Sequence, residues 1–131
     1  MEIKEYVLPE GARPRRLTIA ANDAIYYSDY RRGYLGLDPK TGKVDEWPSP
    51  GGPGSQPYAI TALPDGTIWY SESGVSPNTL VRFDPTDKSF MKWPIPSGGG
   101  VLRHFVANKE GTKIYIASSG VNKVGVVEIA R

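Results

Sequence analysis

Short apolar runs alternate with polar, turn-forming residues along the whole chain, and the runs recur in a fixed order. Ile25-Tyr26-Tyr27-Ser28-Asp29, Ile68-Trp69-Tyr70-Ser71-Glu72 and Ile114-Tyr115-Ile116-Ala117-Ser118 are the clearest of them. Each is rich in β-branched or aromatic side chains, which fit a pleated and packed surface, and each reads as a strand. Pro14 to Ile19, Pro57 to Ala62 and Arg103 to Ala107 precede them; Tyr34 to Pro39, Leu80 to Pro85 and Val124 to Glu128 follow. Between these groups stand Glu5-Tyr6-Val7-Leu8-Pro9, Glu46-Trp47-Pro48-Ser49-Pro50 and Lys92-Trp93-Pro94-Ile95-Pro96. The central runs begin 43 and 46 residues apart. A period in the forties with four short strands per unit is the signature of a β-propeller blade.

The turn residues agree. Asn22-Asp23, Asp65-Gly66 and Glu110-Gly111 separate the first and second strands, where a tight hairpin needs residues that tolerate positive φ. Asp38-Pro39-Lys40-Thr41-Gly42 and Asp84-Pro85-Thr86-Asp87-Lys88 separate the third and fourth, with proline presetting one turn dihedral. A β-sandwich of a dozen strands is the alternative, but it does not account for the self-similarity. With strands labelled A (innermost) to D (outermost), the fold class is all-β: a propeller of three four-stranded blades per chain. One domain spans 1–131, with blades at about 12–50, 55–96 and 101–131.

Ile3 to Leu8 reads as a D strand that arrives before any A strand, and the chain stops after the third C strand. The strand over 3–8 is thus the missing outer strand of a third blade. Three blades cannot curve tightly enough to meet their own ends, because closed propellers typically have at least four. The expectation is a homodimer in which each N-terminal strand completes the partner's third blade, closing a six-bladed ring with two-fold symmetry. A piece of a longer protein is the other reading of the same order.

Gln56-Pro57-Tyr58-Ala59-Ile60, Pro64-Asp65-Gly66-Thr67-Ile68-Trp69-Tyr70-Ser71-Glu72, Leu80-Val81-Arg82-Phe83-Asp84-Pro85 and Glu46-Trp47-Pro48 together resemble blades of the virginiamycin B lyase (streptogramin lyase) family. The resemblance covers essentially the whole chain and implies a propeller, seven blades in known members. It further implies a magnesium-dependent carbon–oxygen lyase that opens a cyclic ester by elimination. On that basis Glu72 is a candidate metal ligand and catalytic residue, and His104 the candidate proton shuttle. Oxygen ligands suit magnesium, which needs few from the protein.

Composition narrows the chemistry. The chain has no cysteine and one histidine, which excludes disulfide scaffolds, thiol nucleophiles and nearly all structural zinc sites. A net charge of +2, from 16 basic and 14 acidic residues, is too balanced to predict nucleic-acid or membrane partners. No apolar run is long enough to span a membrane and no leader is visible, so a cytoplasmic location is the default, periplasmic or secreted if a leader is removed.

Strand register gives a second list of candidates. Strand A runs antiparallel to B, so the starts of A lie beside the ends of B. That places Arg15, Tyr58 and His104, with Arg103 adjacent, at one mouth together with Asp29, Glu72 and Ser118. His104, the one histidine, is the first candidate for acid–base work. Arg13, Arg15, Arg16, Arg31 and Arg32, interleaved with Tyr30 and Tyr34, read either as a grip for an anion or as a solvated rim. The mid-strand pairs Tyr26-Tyr27, Trp69-Tyr70 and Tyr115-Ile116 read as core. Three functions compete: binding of a small ligand or partner at this mouth, catalysis of the lyase type, and an interaction scaffold with no small-molecule site. Binding ranks first, because the resemblance asks for more histidines than one chain supplies.

Overall fold

In the computed structural model of the chain, which describes residues 1–37 and 43–130, the strands form three antiparallel sheets side by side. The first sheet runs in order β1 (Pro14–Ile19), β2 (Ile25–Asp29), β3 (Tyr34–Leu37) and β4 (Asp45–Pro48). The second repeats it with β5 (Pro57–Ala62), β6 (Ile68–Glu72), β7 (Thr79–Asp84) and β8 (Ser89–Pro94). The third has three strands, β9 (Leu102–Ala107), β10 (Lys113–Ser118) and β11 (Lys123–Glu128). The blades therefore carry four, four and three strands, not four each. β1, β5 and β9 are neighbours, so the innermost strands of successive blades line one concave side.

Burial follows position in the stack. Every residue of β6 is buried, because the middle blade is covered on both faces. The equivalent β10 alternates between buried and exposed, because only one of its faces meets a neighbour. Tyr115 is consequently 43% exposed, which corrects its expected place in the core, while Ile116 is buried as expected. Between blades one and two, Tyr26, Leu35, Ile68, Tyr70, Val81 and Phe83 make one apolar cluster, with Trp47 and Phe90 against it. Between blades two and three, Trp69, Leu80, Leu102, Phe105, Ile114 and Ile116 make the other.

A polar link accompanies each apolar one. The Ser28 hydroxyl donates to the Tyr58 carbonyl at 2.7 Å, and the Ser71 hydroxyl donates to the Leu102 carbonyl at 3.2 Å. Both serines sit on a B strand and reach the A strand of the next blade. The third repeat carries Ala117 at this position.

The hairpin residues behave as their chemistry predicts: Asp23, Gly66 and Gly111 all adopt positive φ. After β7 the Asp84 carboxylate accepts the Thr86 amide at 3.0 Å, closing the turn to β8. The corresponding Asp38 to Gly42 turn lies outside the described residues. Gly36 is required by packing: a Cβ there would lie 2.0 Å from Cζ of Tyr27, whose ring crosses β3 at that point.

The segment over 3–8 is not a strand. It joins no sheet, and its residues up to Val7 are exposed. An extended segment is held by ladder bonds to a neighbour, and the free edge of the third blade, β11, is not reached by its own N-terminus.

Candidate functional site

All three inner strands carry a β-bulge at the same place. The register against the B strand slips between Pro14 and Arg16, between Pro57 and Ile60, and between Leu102 and His104. The extra residues fall at Arg15, at Tyr58-Ala59 and at Arg103. Bulges re-aim side chains and are common beside functional sites. Arg103, not His104, thus occupies the position equivalent to Arg15 and Tyr58.

These bulge residues converge. The Tyr58 ring has the guanidinium carbons of Arg15, Arg16 and Arg103 at 5.9, 6.0 and 5.6 Å from its centre. Tyr30 packs edge-on against Tyr58 at 5.6 Å and lies 4.6 Å beneath Arg15. Arg103 Nη1 donates to the Tyr58 hydroxyl at 3.4 Å, and Arg16 Nε donates to the Arg103 carbonyl at 3.1 Å, tying blade one to blade three. Arg15, Arg16 and Arg103 are exposed, and among the described residues no carboxylate lies within ion-pair distance of them. The arrangement is a partly buried aromatic floor ringed by three unneutralised cations.

The carboxylates expected at this mouth point inward instead. Asp29 is fully buried; Oδ1 accepts the amides of Arg13 and Arg32 at 3.0 and 3.2 Å, and Oδ2 accepts Arg32 Nε at 2.7 Å. Arg32 also bonds Glu46 and covers Tyr34. Burial opposes the charge on Arg32, but the hydrogen bond and charge of Asp29, and then Glu46, outweigh it and raise its pKa above the usual value. Arg32 is therefore a structural cation, unlike its neighbours in the basic stretch.

Glu72 is equally buried. Its Oε2 accepts the Ser49 hydroxyl at 2.5 Å and the Gly51 amide at 2.6 Å, and its Oε1 accepts the Thr79 hydroxyl at 2.7 Å. Tyr70, hydrogen-bonded to Ser49 at 2.8 Å, has its pKa driven up by burial, with the Glu72 charge adding to it and the Ser49 bond opposing. The carboxylate fastens the loop that leads from blade one into blade two. Ser118 takes the equivalent place in blade three and is also buried, while the next residue, Ser119, bonds the Val101 carbonyl through both its amide and its hydroxyl.

His104 pairs with Ala117 and is exposed beside a shallow groove of about 520 Å³ that also includes Ile19, Thr61 and Val106. Among the described residues it is not one of the hydrogen-bond partners of Glu72. Among the described residues no three His, Asp or Glu side chains come together as a metal would require. With its oxygens held by three protein donors, Glu72 does not fit the magnesium that the family resemblance implies, and no step is assigned to that ion.

Arg15, Tyr58 and Arg103, expected at one mouth, lie together in the structure. Arg16 and Tyr30, read in the separate basic stretch, join the same cluster through Tyr58 and Arg103, a link between blades that nothing local in the sequence marks.

No protein-family model and no curated protein matches the chain. Among solved structures, it superimposes on a catalytically inactive virginiamycin B lyase from Staphylococcus aureus with quinupristin, at a TM-score of 0.83 and 24% identity over 95% of this chain and 41% of that one. A streptogramin B lyase structure gives 0.79 and 24% identity over 99% and 45%. A gluconolactonase from Xanthomonas campestris gives 0.71 and 10% identity over 88% and 43%. The chain thus spans less than half the length of the structures it matches. In fold it is similar to a part of the virginiamycin B lyase propeller, three blades long and without the outer strand of the third.

Proposed function

We propose that this protein is a ligand-binding propeller module that grips an anionic, ring-bearing small molecule over Tyr58. The observation that carries this reading is the convergence of Arg15, Arg16 and Arg103 on one ring, with no neutralising carboxylate among the described residues. Three like charges held together repel one another, and an anion among them converts that repulsion into attraction. Guanidinium forks match carboxylate and phosphate oxygens, and the Tyr30–Tyr58 floor offers a face to a planar group. Elimination through Glu72 and His104 draws less support from the geometry, since the one is buried and saturated and the other faces a different groove.

Phenyl phosphate is a suitable probe, with inorganic phosphate and phenol as controls in a calorimetric titration. Losing one charge-assisted contact costs about 1.5–3 kcal/mol, so Arg103→Ala should weaken phenyl phosphate binding roughly tenfold or more. Binding should also fall with salt. Phenol binding as tightly as phenyl phosphate, or an Arg103→Ala variant with unchanged affinity, would overturn the reading.

A further inference from the structure

The outer side of blade three holds an apolar groove of about 810 Å³ between β8 and β11, floored by Trp69, Leu80, Trp93 and Val127. One wall is the unpaired edge of β11, which in the other two blades is covered by a D strand. Comparison of the blades shows what is missing. In blade two, Phe90 of β8 pairs with Phe83 and packs 4.9 Å from it, and the outer tryptophan of blade one, Trp47, packs 4.8 Å from the same Phe83. In blade three the counterpart of Phe83 is Val127 and the counterpart of Trp47 is Trp93, but none of the described residues takes the place of Phe90. Trp93 is left 38% exposed, and Val124 and Val126 on β11 are 83% and 52% exposed.

The sequence contains one further copy of the D-strand motif. Glu5-Tyr6-Val7-Leu8-Pro9 aligns with Glu46-Trp47-Pro48-Ser49-Pro50 and with Lys92-Trp93-Pro94-Ile95-Pro96, which brings Ile3 to the position of Phe90. This segment joins no sheet and is exposed as far as Val7. It cannot serve its own blade three. The five residues from Pro9 to Pro14 span at most about 18 Å. The path from the start of β1 takes two steps of about 5–8 Å between inner strands and then three strand spacings, about 14 Å, to the outer edge, together more than that span. A D strand also leads directly into the A strand of the blade beside it, as β4 leads into β5. The blade that receives residues 2–9 must therefore sit on the open face of blade one, where Leu17 and Ile19 are exposed.

We infer that the edge of β11 receives residues 2–9 of a second copy of this chain as its fourth strand. The β7–β8 ladder fixes the register: Leu80 faces Trp93 and Phe83 faces Phe90, so Val124 faces the partner copy's residue 6 and Val127 its residue 3. Ile3 then enters the groove beside Trp93. The main chain supplies the ladder bonds, and alternate side chains supply the specificity, as in strand addition generally.

The chain has no cysteine, so paired substitutions report on register directly. Tyr6→Cys mixed with Val124→Cys should oxidise to a covalent dimer, whereas Val7→Cys mixed with Val124→Cys should not, because a one-residue step turns the side chain to the other face. The wild-type chain at micromolar concentration should sediment at twice its monomer mass. Equal cross-linking of the Val7→Cys control would overturn the register, and with it the proposed strand. A bridge formed only within single chains of a Tyr6→Cys/Val124→Cys double variant would overturn the second copy as donor. A monomeric wild-type mass would do the same, even if a cysteine variant failed to fold. These readouts do not depend on the anion proposed at Tyr58.

Discussion

Replacing Glu72 separates a structural carboxylate from a catalytic one. Glu72→Ala removes the acceptor for three buried or half-buried donors: the Ser49 hydroxyl, the Gly51 amide and the Thr79 hydroxyl. A buried donor left without an acceptor costs about 1–3 kcal/mol. Water entering the vacated space relieves part of this, which leaves a loss of about 4 kcal/mol. For a chain of this size that corresponds to roughly 10–15 °C in Tm. Glu72→Gln is much milder. Its amide oxygen can still accept from Gly51 and its amide nitrogen can donate to the Thr79 hydroxyl, so about 1 kcal/mol is expected. Thermal and urea unfolding followed by tryptophan fluorescence would measure both variants. A Glu72→Ala protein that melts within about 3 °C of wild type would refute the structural assignment. So would magnesium that raises the wild-type Tm and leaves that of Glu72→Gln unchanged, since a ligand binding only the folded state must stabilise it.

Two further outcomes follow from Tyr27. Its buried hydroxyl has no hydrogen-bond partner among the described residues, so Tyr27→Phe should leave the Tm unchanged or raise it. Burial first, and then the charges of Glu46 and Asp29 against the opposing charge of Arg32, push the Tyr27 pKa from 10 up to about 12. The neutral phenol is the form the fold favours. The stability it contributes is complete below pH 10 and disappears as pH rises towards 12, so Tyr27→Phe should flatten, in part, the alkaline limb of a Tm-against-pH curve. Tyr26 and Tyr70 are raised in the same direction and contribute to that limb as well. Gly36→Ala drives a methyl into the Tyr27 ring and should cost at least about 3 kcal/mol by urea denaturation, an overpacking penalty. Gly36→Ala combined with a smaller residue at Tyr27 should recover part of it.

The architecture was readable because each blade repeats one instruction. All eleven strands fall within two or three residues of the runs that announce them, and the positive-φ turns sit at Asp23, Gly66 and Gly111 as the hairpins require. Three features were not readable. A bulge adds a residue without altering composition, so His104 was assigned the mouth position that Arg103 holds. The inward turn of Glu72 depends on Ser49 and Gly51, more than twenty residues away, and nothing local marks that partnership. Ile3 to Leu8 carries a strand's sequence, yet an edge needs a neighbour before it becomes one.

The paired links between blades, serine near the axis and aromatic rings at the rim, make each blade a wedge. Close to the axis the spacing is held by hydroxyls that reach the next inner strand: Ser28 to Tyr58 and Thr18 to Ala62, or Ser71 to Leu102. At the rim it is held open by Trp47 of blade one against Phe83 of blade two. Across the roughly 14 Å from inner to outer strand, a wedge that closes six blades must widen by about 15 Å and one that closes seven by about 13 Å. The difference per blade is near 2 Å, the scale of a single substitution in an outer-strand side chain. The number of blades in a ring of this kind is therefore written at its circumference, in residues that never touch the channel.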